Sequence, residues 1–117
     1  MENSTKTILV IDDDPYMADV LSRQLTKRGF RVISTTDPER GYGLAESEKP
    51  DLIISDIGLP DGNGWDLVAE VRTRWPTLRI GVITGWEGRS TGAATADFVL
   101  RKPVRTKELL DQISHGG

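Results

Sequence analysis

Asp12, Asp13, Asp56, Thr84 and Lys102 are the residues of this chain whose types could do chemistry together. Three carboxylates brought to one place repel one another by several kcal/mol if partly buried and unpaired. A divalent cation relieves that repulsion, and hard oxygen ligands with room for water suit Mg²⁺. A lysine adds a further positive charge and a threonine hydroxyl a neutral donor, which is what an oxygen-rich anion such as a phosphoryl group requires. In that setting Asp56 reads as a nucleophile forming an aspartyl-phosphate, with the cation and Lys102 offsetting charge on the transferring oxygens.

Those residues matter only if the fold collects them, and the chain has a pattern that would. The run Leu52-Ile53-Ile54-Ser55 is apolar or small and stops on Asp56, and Gly58-Leu59-Pro60-Asp61-Gly62-Asn63-Gly64 beyond it is dense in turn residues. A short apolar run with turn signals reads as a buried strand of a parallel sheet, here over Leu52–Ser55. Ile8–Ile11 is a similar run ending in Asp12-Asp13, Arg79–Thr84 ends in Thr84, and Phe98–Arg101 is followed by Lys102. Phe30–Ser34 completes five strands.

Between the strands lie helical stretches. Asp14-Pro15 and Asp37-Pro38 each place an N-cap before a first-turn proline. The first helix is predicted to about Arg28, with Met17, Val20, Leu21 and Gln24/Leu25 inward and Gly29 as its terminator. The second runs to about Glu48 with Tyr42, Leu44 and Ala45 inward, weakened by Gly41 and Gly43. A third covers about Gly64 to Arg74, with Trp65, Val68, Val71 and Trp75 on one face and Pro76 as the stop. A last one covers about Thr106 to Ser114, with Leu109, Leu110 and Ile113 inward. Alternating strands and helices predict a small doubly wound α/β fold with a parallel sheet. Ligands of such sheets bind outside the carboxyl ends of the strands, where the five chemical residues fall.

Composition narrows the classes. The chain has 117 residues, 37% hydrophobic and 28% charged, which fits one domain over 1–117 of ordinary globular character. A net charge of −3 disfavours a sequence-independent grip on nucleic acid. There is no cysteine, hence no thiol nucleophile or thiolate metal site. No apolar run approaches the roughly 20 residues of a membrane span, and the expected location is the cytoplasm.

Singly, each residue has an ordinary explanation. Asp14 is a cap, Asp56 a turn-former, Lys102 a solvated charge and Thr84 a strand residue. Their order at matching strand ends favours the chemical reading. The motifs Ile8-Leu9-Val10-Ile11-Asp12-Asp13-Asp14-Pro15, Asp51-Leu52-Ile53-Ile54-Ser55-Asp56 with Leu59-Pro60-Asp61-Gly62, Val82-Ile83-Thr84-Gly85 and Leu100-Arg101-Lys102-Pro103 together resemble the receiver domain of two-component response regulators, the CheY-like family. The resemblance implies strand order 2-1-3-4-5 and Asp56 as phosphoacceptor. It implies Asp13 and Asp56 as direct Mg²⁺ ligands, Asp12 acting mostly through water, and a contribution from the Gly58 carbonyl. Thr84 would hydrogen-bond the phosphoryl group and Lys102 would pair with it, and the Lys102-Pro103 peptide is often cis in such domains. The implied donor is a sensor histidine kinase or a histidine phosphotransfer protein. The implied behaviour is a switch that catalyses only its own phosphotransfer and dephosphorylation, as a monomer or weak dimer without direct nucleic-acid or membrane contact.

The chain departs from the family pattern in places. Lys102 follows Thr84 by 18 residues (102 minus 84), about four fewer than usual, or one helical turn. The fourth helix of the family is therefore expected to be short or absent, and the output route altered. The aromatic expected three residues before the lysine is Val99, and Phe98, pointing to the opposite face, is not expected to replace it. Trp86, two after Thr84, is expected to screen an acyl phosphate from water, whereas Gly58 offers no side chain. His115 has no assigned role. A metal-dependent phosphohydrolase is the alternative enzyme class, but it would need an acid where Gly58 stands. A phosphate-independent interaction module is the third class, disfavoured by the full set of acceptor-site residues.

Overall fold

The structure, a computed structural model, describes residues 6–57, 63–85 and 96–115. Five strands form one sheet in the order β2-β1-β3-β4-β5. They are β1 (Thr7–Ile11), β2 (Arg31–Thr35), β3 (Leu52–Ile57), β4 (Arg79–Thr84) and β5 (Phe98–Arg101), interleaved with α1 (Pro15–Lys27), α2 (Pro38–Glu48), α3 (Asn63–Arg74) and α4 (Thr106–His115). The doubly wound α/β class and its strand order are as expected. The stretch 86–95, where the short or absent helix and the role of Trp86 were expected, lies outside the described residues. Among the described residues no helix is long and apolar enough to cross a membrane. Two compact units, Met1–Ile54 and Ser55–Gly117, divide within β3.

In the first unit β1 and β2 pair in parallel with Thr7 opposite Arg31 and Ile11 opposite Thr35. Ile8, Leu9, Val10 and Ile11 are all buried, as an unbroken apolar run in a parallel strand should be. Both aspartate–proline starts are realised. Asp14 accepts the Tyr16 N–H and Asp37 the Glu39 N–H, each at 3.0 Å, with proline in the first turn. Both helices pack on β1 and β2. The buried face of α1 is Ala18, Leu21 and Leu25, with Met17, Val20 and Gln24 only half-buried. In α2 the buried pair is Gly41 and Ala45, while Tyr42 and Leu44 are half-buried. A Cβ on Gly41 would lie 2.5 Å from Ile11 Cδ1, so this glycine lets α2 close on β1 rather than merely weakening the helix. Gly29 ends α1 at φ +96°, but α2 ends on Lys49 at φ 49°, a left-handed position that usually goes to glycine.

β3 differs from expectation in running past Asp56 to Ile57. Ile57 is buried to 3%, and that burial extends the strand beyond the point where the polar Asp56 suggested a stop.

In the second unit β4 and β5 pair in parallel, Gly81 opposite Phe98 and Thr84 opposite Arg101. Val68 and Val71 of α3 are buried as expected, and Trp75, just past the helix, is half-buried beneath the Arg74 guanidinium at 5.1 Å. Leu109 and Ile113 carry the buried face of α4, which packs on β5, and Leu110 is half-buried. Glu108 Oε1 accepts the Arg105 N–H at 3.2 Å, half of a capping box at the start of that helix. Near its other end Arg79 Nη2 donates to the Gln112 carbonyl at 2.7 Å, satisfying one of the last carbonyls with a cation where the helix dipole favours one.

Candidate functional site

Two of the candidate residues belong to the first unit. Asp12 follows β1 directly. Its N–H donates to the Thr35 carbonyl at 3.1 Å, which carries the ladder one step past the strand. Its side chain cannot avoid the interior, because the residue is 1% exposed. Oδ1 accepts the Asp14 N–H at 2.9 Å, so the Asp14 that caps α1 also orients the carboxylate two residues earlier. Asp13, between them, is exposed. The sequence Asp-Asp-Asp-Pro thus divides its labour into one buried acid, one solvent-facing acid and one cap.

Three others meet in the second unit. The Asp56 side chain is 3% exposed, and Lys102 Nζ lies 2.5 Å from Asp56 Oδ2. The other oxygen, Asp56 Oδ1, is buried with no hydrogen-bond partner among the described residues. A buried carboxylate oxygen in that state costs a few kcal/mol unless something else satisfies it. Thr84 ends β4, 6% exposed, and its carbonyl accepts the Lys102 N–H at 2.8 Å. That bond anchors the backbone of Lys102 while its side chain, one-third exposed, reaches Asp56. The Lys102-Pro103 peptide is cis. Gly58, expected to contribute a carbonyl, lies outside the described residues.

The aromatic of β5 does not lie beside Thr84. Phe98 is 7% exposed and covers Gly81, where a Cβ would come within 2.0 to 2.6 Å of three ring carbons. The Arg79 guanidinium stacks 5.3 Å from the ring centroid. Val99, the next residue, is 40% exposed.

Sequence reasoning gave no role to Arg72 and Asp97, and read Asp51 only as part of a motif. Asp97 Oδ2 accepts from Ile80 N–H at 2.7 Å and from Arg72 Nη2 at 2.6 Å. Asp51 makes a similar exchange with Thr7 in the first unit. The signal available was an aspartate immediately before an apolar strand run, which turn chemistry alone also explains.

Five parallel strands in this order with an aspartate–lysine pair at a strand end define a CheY-like α/β protein. The chain belongs to the response regulator receiver domain family, whose pattern matches residues 8–114. It is 37% identical over 110 residues to the probable transcriptional regulatory protein SilR of Salmonella typhimurium, covering 91% of this chain and 48% of SilR. A CheY-like receiver domain protein from Methanospirillum hungatei has the same fold at a TM-score of 0.88 and 30% identity, over 96% of this chain and 93% of that one. The response regulator TrrA of Thermotoga maritima, solved in complex with Mg²⁺ and BeF, superposes at a TM-score of 0.88 with 24% identity, over 97% of this chain and all (100%) of that one. The chain spans about half the length of the curated relatives it matches.

Proposed function

We propose that residues 1–117 act as one receiver module that accepts a phosphoryl group on Asp56 from a phosphohistidine of a sensor kinase or phosphotransfer protein. The N–P bond of the donor breaks, an O–P bond forms to an Asp56 carboxylate oxygen, and the histidine nitrogen keeps the electron pair. The observation that carries the reading is the Asp56 carboxylate, with one oxygen on Lys102 and the other buried without a described partner.

We assign Asp12, Asp13 and Asp56 to Mg²⁺ as ligands, with the Gly58 carbonyl as a further one. The donors are all hard oxygens in a chain without cysteine, which fits that ion. When bound it supplies positive charge against the transferring oxygens. The Mg²⁺–BeF complex of TrrA supports the same assignment. Lys102 moves its charge from the free carboxylate to the phosphoryl oxygens, and the Thr84 hydroxyl donates to one of them. Asp14, engaged at the start of α1, stays a cap. Phosphorylation adds about two negative charges, which biases the segments carrying Thr84 and Lys102 and so changes partner choice. The module is a cytoplasmic switch rather than a turnover enzyme, monomeric or weakly dimeric, and makes no nucleic-acid contact of its own.

Incubation with acetyl phosphate and Mg²⁺, read by intact mass, tests this. The wild type should gain one phosphoryl group and Asp56→Asn none. Equal labelling of both proteins, or of neither, sinks the assignment.

A further inference from the structure

β5 is four residues long, and Phe98 is its one buried residue. Strand register is set firmly where a whole face is buried and loosely where it is not. Hydrophobic patterning alone therefore leaves β5 poorly specified. Lys102, the residue after it, nevertheless has to meet Asp56 within hydrogen-bonding distance. A slip of one residue would carry it about 3.3 Å along the strand and turn it toward the other face.

Just before β5 stands Asp97. Its N–H donates to the Ile80 carbonyl at 2.7 Å, and its Oδ2 accepts the Ile80 N–H at 2.7 Å. One aspartate thus takes both backbone groups of a single residue on β4, an exchange that fixes register by itself. The carboxylate is held in turn by Arg72, whose other nitrogen, Nη1, is anchored on the Pro76 and Leu78 carbonyls at 2.8 and 2.7 Å. The guanidinium is therefore held by bonds that do not involve Asp97, and the bond it gives to Asp97 is charge-assisted. Gly81 next door receives the Phe98 ring. Asp51, just before β3 in the first unit, makes the same two-way exchange with Thr7, both bonds at 2.8 Å. Each of these aspartates precedes a proposed active group by five residues, Asp51 before Asp56 and Asp97 before Lys102.

We propose that Asp97, held by Arg72, is a positioning residue that locks the β4–β5 register and thereby delivers Lys102 to Asp56. The importance of Lys102 rests on the phosphoacceptor reading, while the lock itself does not. The experiment follows amide hydrogen exchange by NMR together with acetyl phosphate labelling of Asp56 in Asp97→Ala, Asp97→Asn and Asp51→Ala. In Asp97→Ala the Lys102 N–H, bonded to Thr84, should exchange about tenfold faster, as for loss of one charge-assisted hydrogen bond, and labelling should slow in step. Leu9 and Val10 should keep their protection. Asp97→Asn retains an acceptor for Ile80 and should recover most of both losses. Asp51→Ala, which removes the matching exchange in the other unit, should leave the Lys102 amide unchanged. If Asp97→Ala does not fold, Arg72→Ala takes its place with the same readouts. An unchanged Lys102 amide overturns the proposal, as does an equal acceleration in Asp51→Ala, which would mean general loosening. Faster exchange with undiminished labelling would uphold the lock and remove Lys102 from the phosphoacceptor reading.

Discussion

Replacing Gly81 with alanine should destabilise the protein, although glycine-to-alanine changes within strands ordinarily help by about 0.5–1 kcal/mol. The new Cβ would stand 2.0 Å from Phe98 Cζ, 2.3 Å from Cε1 and 2.6 Å from Cε2. Comfortable carbon–carbon contact begins near 3.5 Å, so the ring has to retreat by about 1.5 Å. Little room exists for that, because Phe98 is buried and Arg79 stacks on it. Overpacking of this kind costs about 1–3 kcal/mol, and expelling the ring forfeits about 1.5–3 kcal/mol of apolar burial. After subtracting the strand gain, about 2 kcal/mol of net loss should appear in urea titrations as a lower midpoint with an unchanged slope. A double-mutant cycle supplies the check on mechanism. Phe98→Ala alone should cost about 3–5 kcal/mol. In that background Gly81→Ala should be neutral or stabilising, because the ring it collides with is gone. A neutral or stabilising Gly81→Ala in the wild type would refute the packing argument.

Two further predictions concern the first unit and the metal. Mg²⁺ bound only by the folded chain should stabilise it by about 1.4 kcal/mol at ten times its Kd, an effect that chelation reverses and Asp13→Ala removes, measured by thermal melting. Lys49→Gly should raise stability by about 0.5–1 kcal/mol, because glycine occupies the left-handed cap at φ 49° without the Cβ penalty. A urea midpoint unchanged or lowered by Lys49→Gly would contradict that account of the α2 terminus.

Strands were legible in the sequence because parallel strands buried on both faces leave unbroken apolar, mostly β-branched runs such as Ile8–Ile11. The two aspartate–proline caps were legible because capping is chemistry between near neighbours. Ala45 was read inward and is buried, but the packing of two other small residues was not legible. Ala18 and Gly41 are buried where α1 and α2 pack on the strands, yet neither carries a hydrophobic signal, so weight fell on Met17, Val20 and Tyr42 instead. Ile57 likewise lengthened β3 past a polar residue. At the site, residue types and strand ends pointed to Asp12, Asp56, Thr84 and Lys102. The residues fixing strand register were not apparent, because Ile80 and Asp97 are 17 positions apart and Thr7 and Asp51 are 44. No local pattern connects such pairs. Arg72 looks like one more cation on a charged helix, and only the bonds of its guanidinium separate it from its neighbours.

Arg79 touches two things at once, the face of Phe98 and the carbonyl of Gln112. Its planar head is rigid, and its Nε is buried with no hydrogen-bond partner among the described residues, so its place is held by the Gln112 carbonyl and the Phe98 ring. The Phe98 ring and the closing turn of α4 therefore share a single partner, and truncating Arg79 removes a contact from both. Strand β5 and helix α4 are thus tied through one side chain of β4 as well as through the loop that joins them.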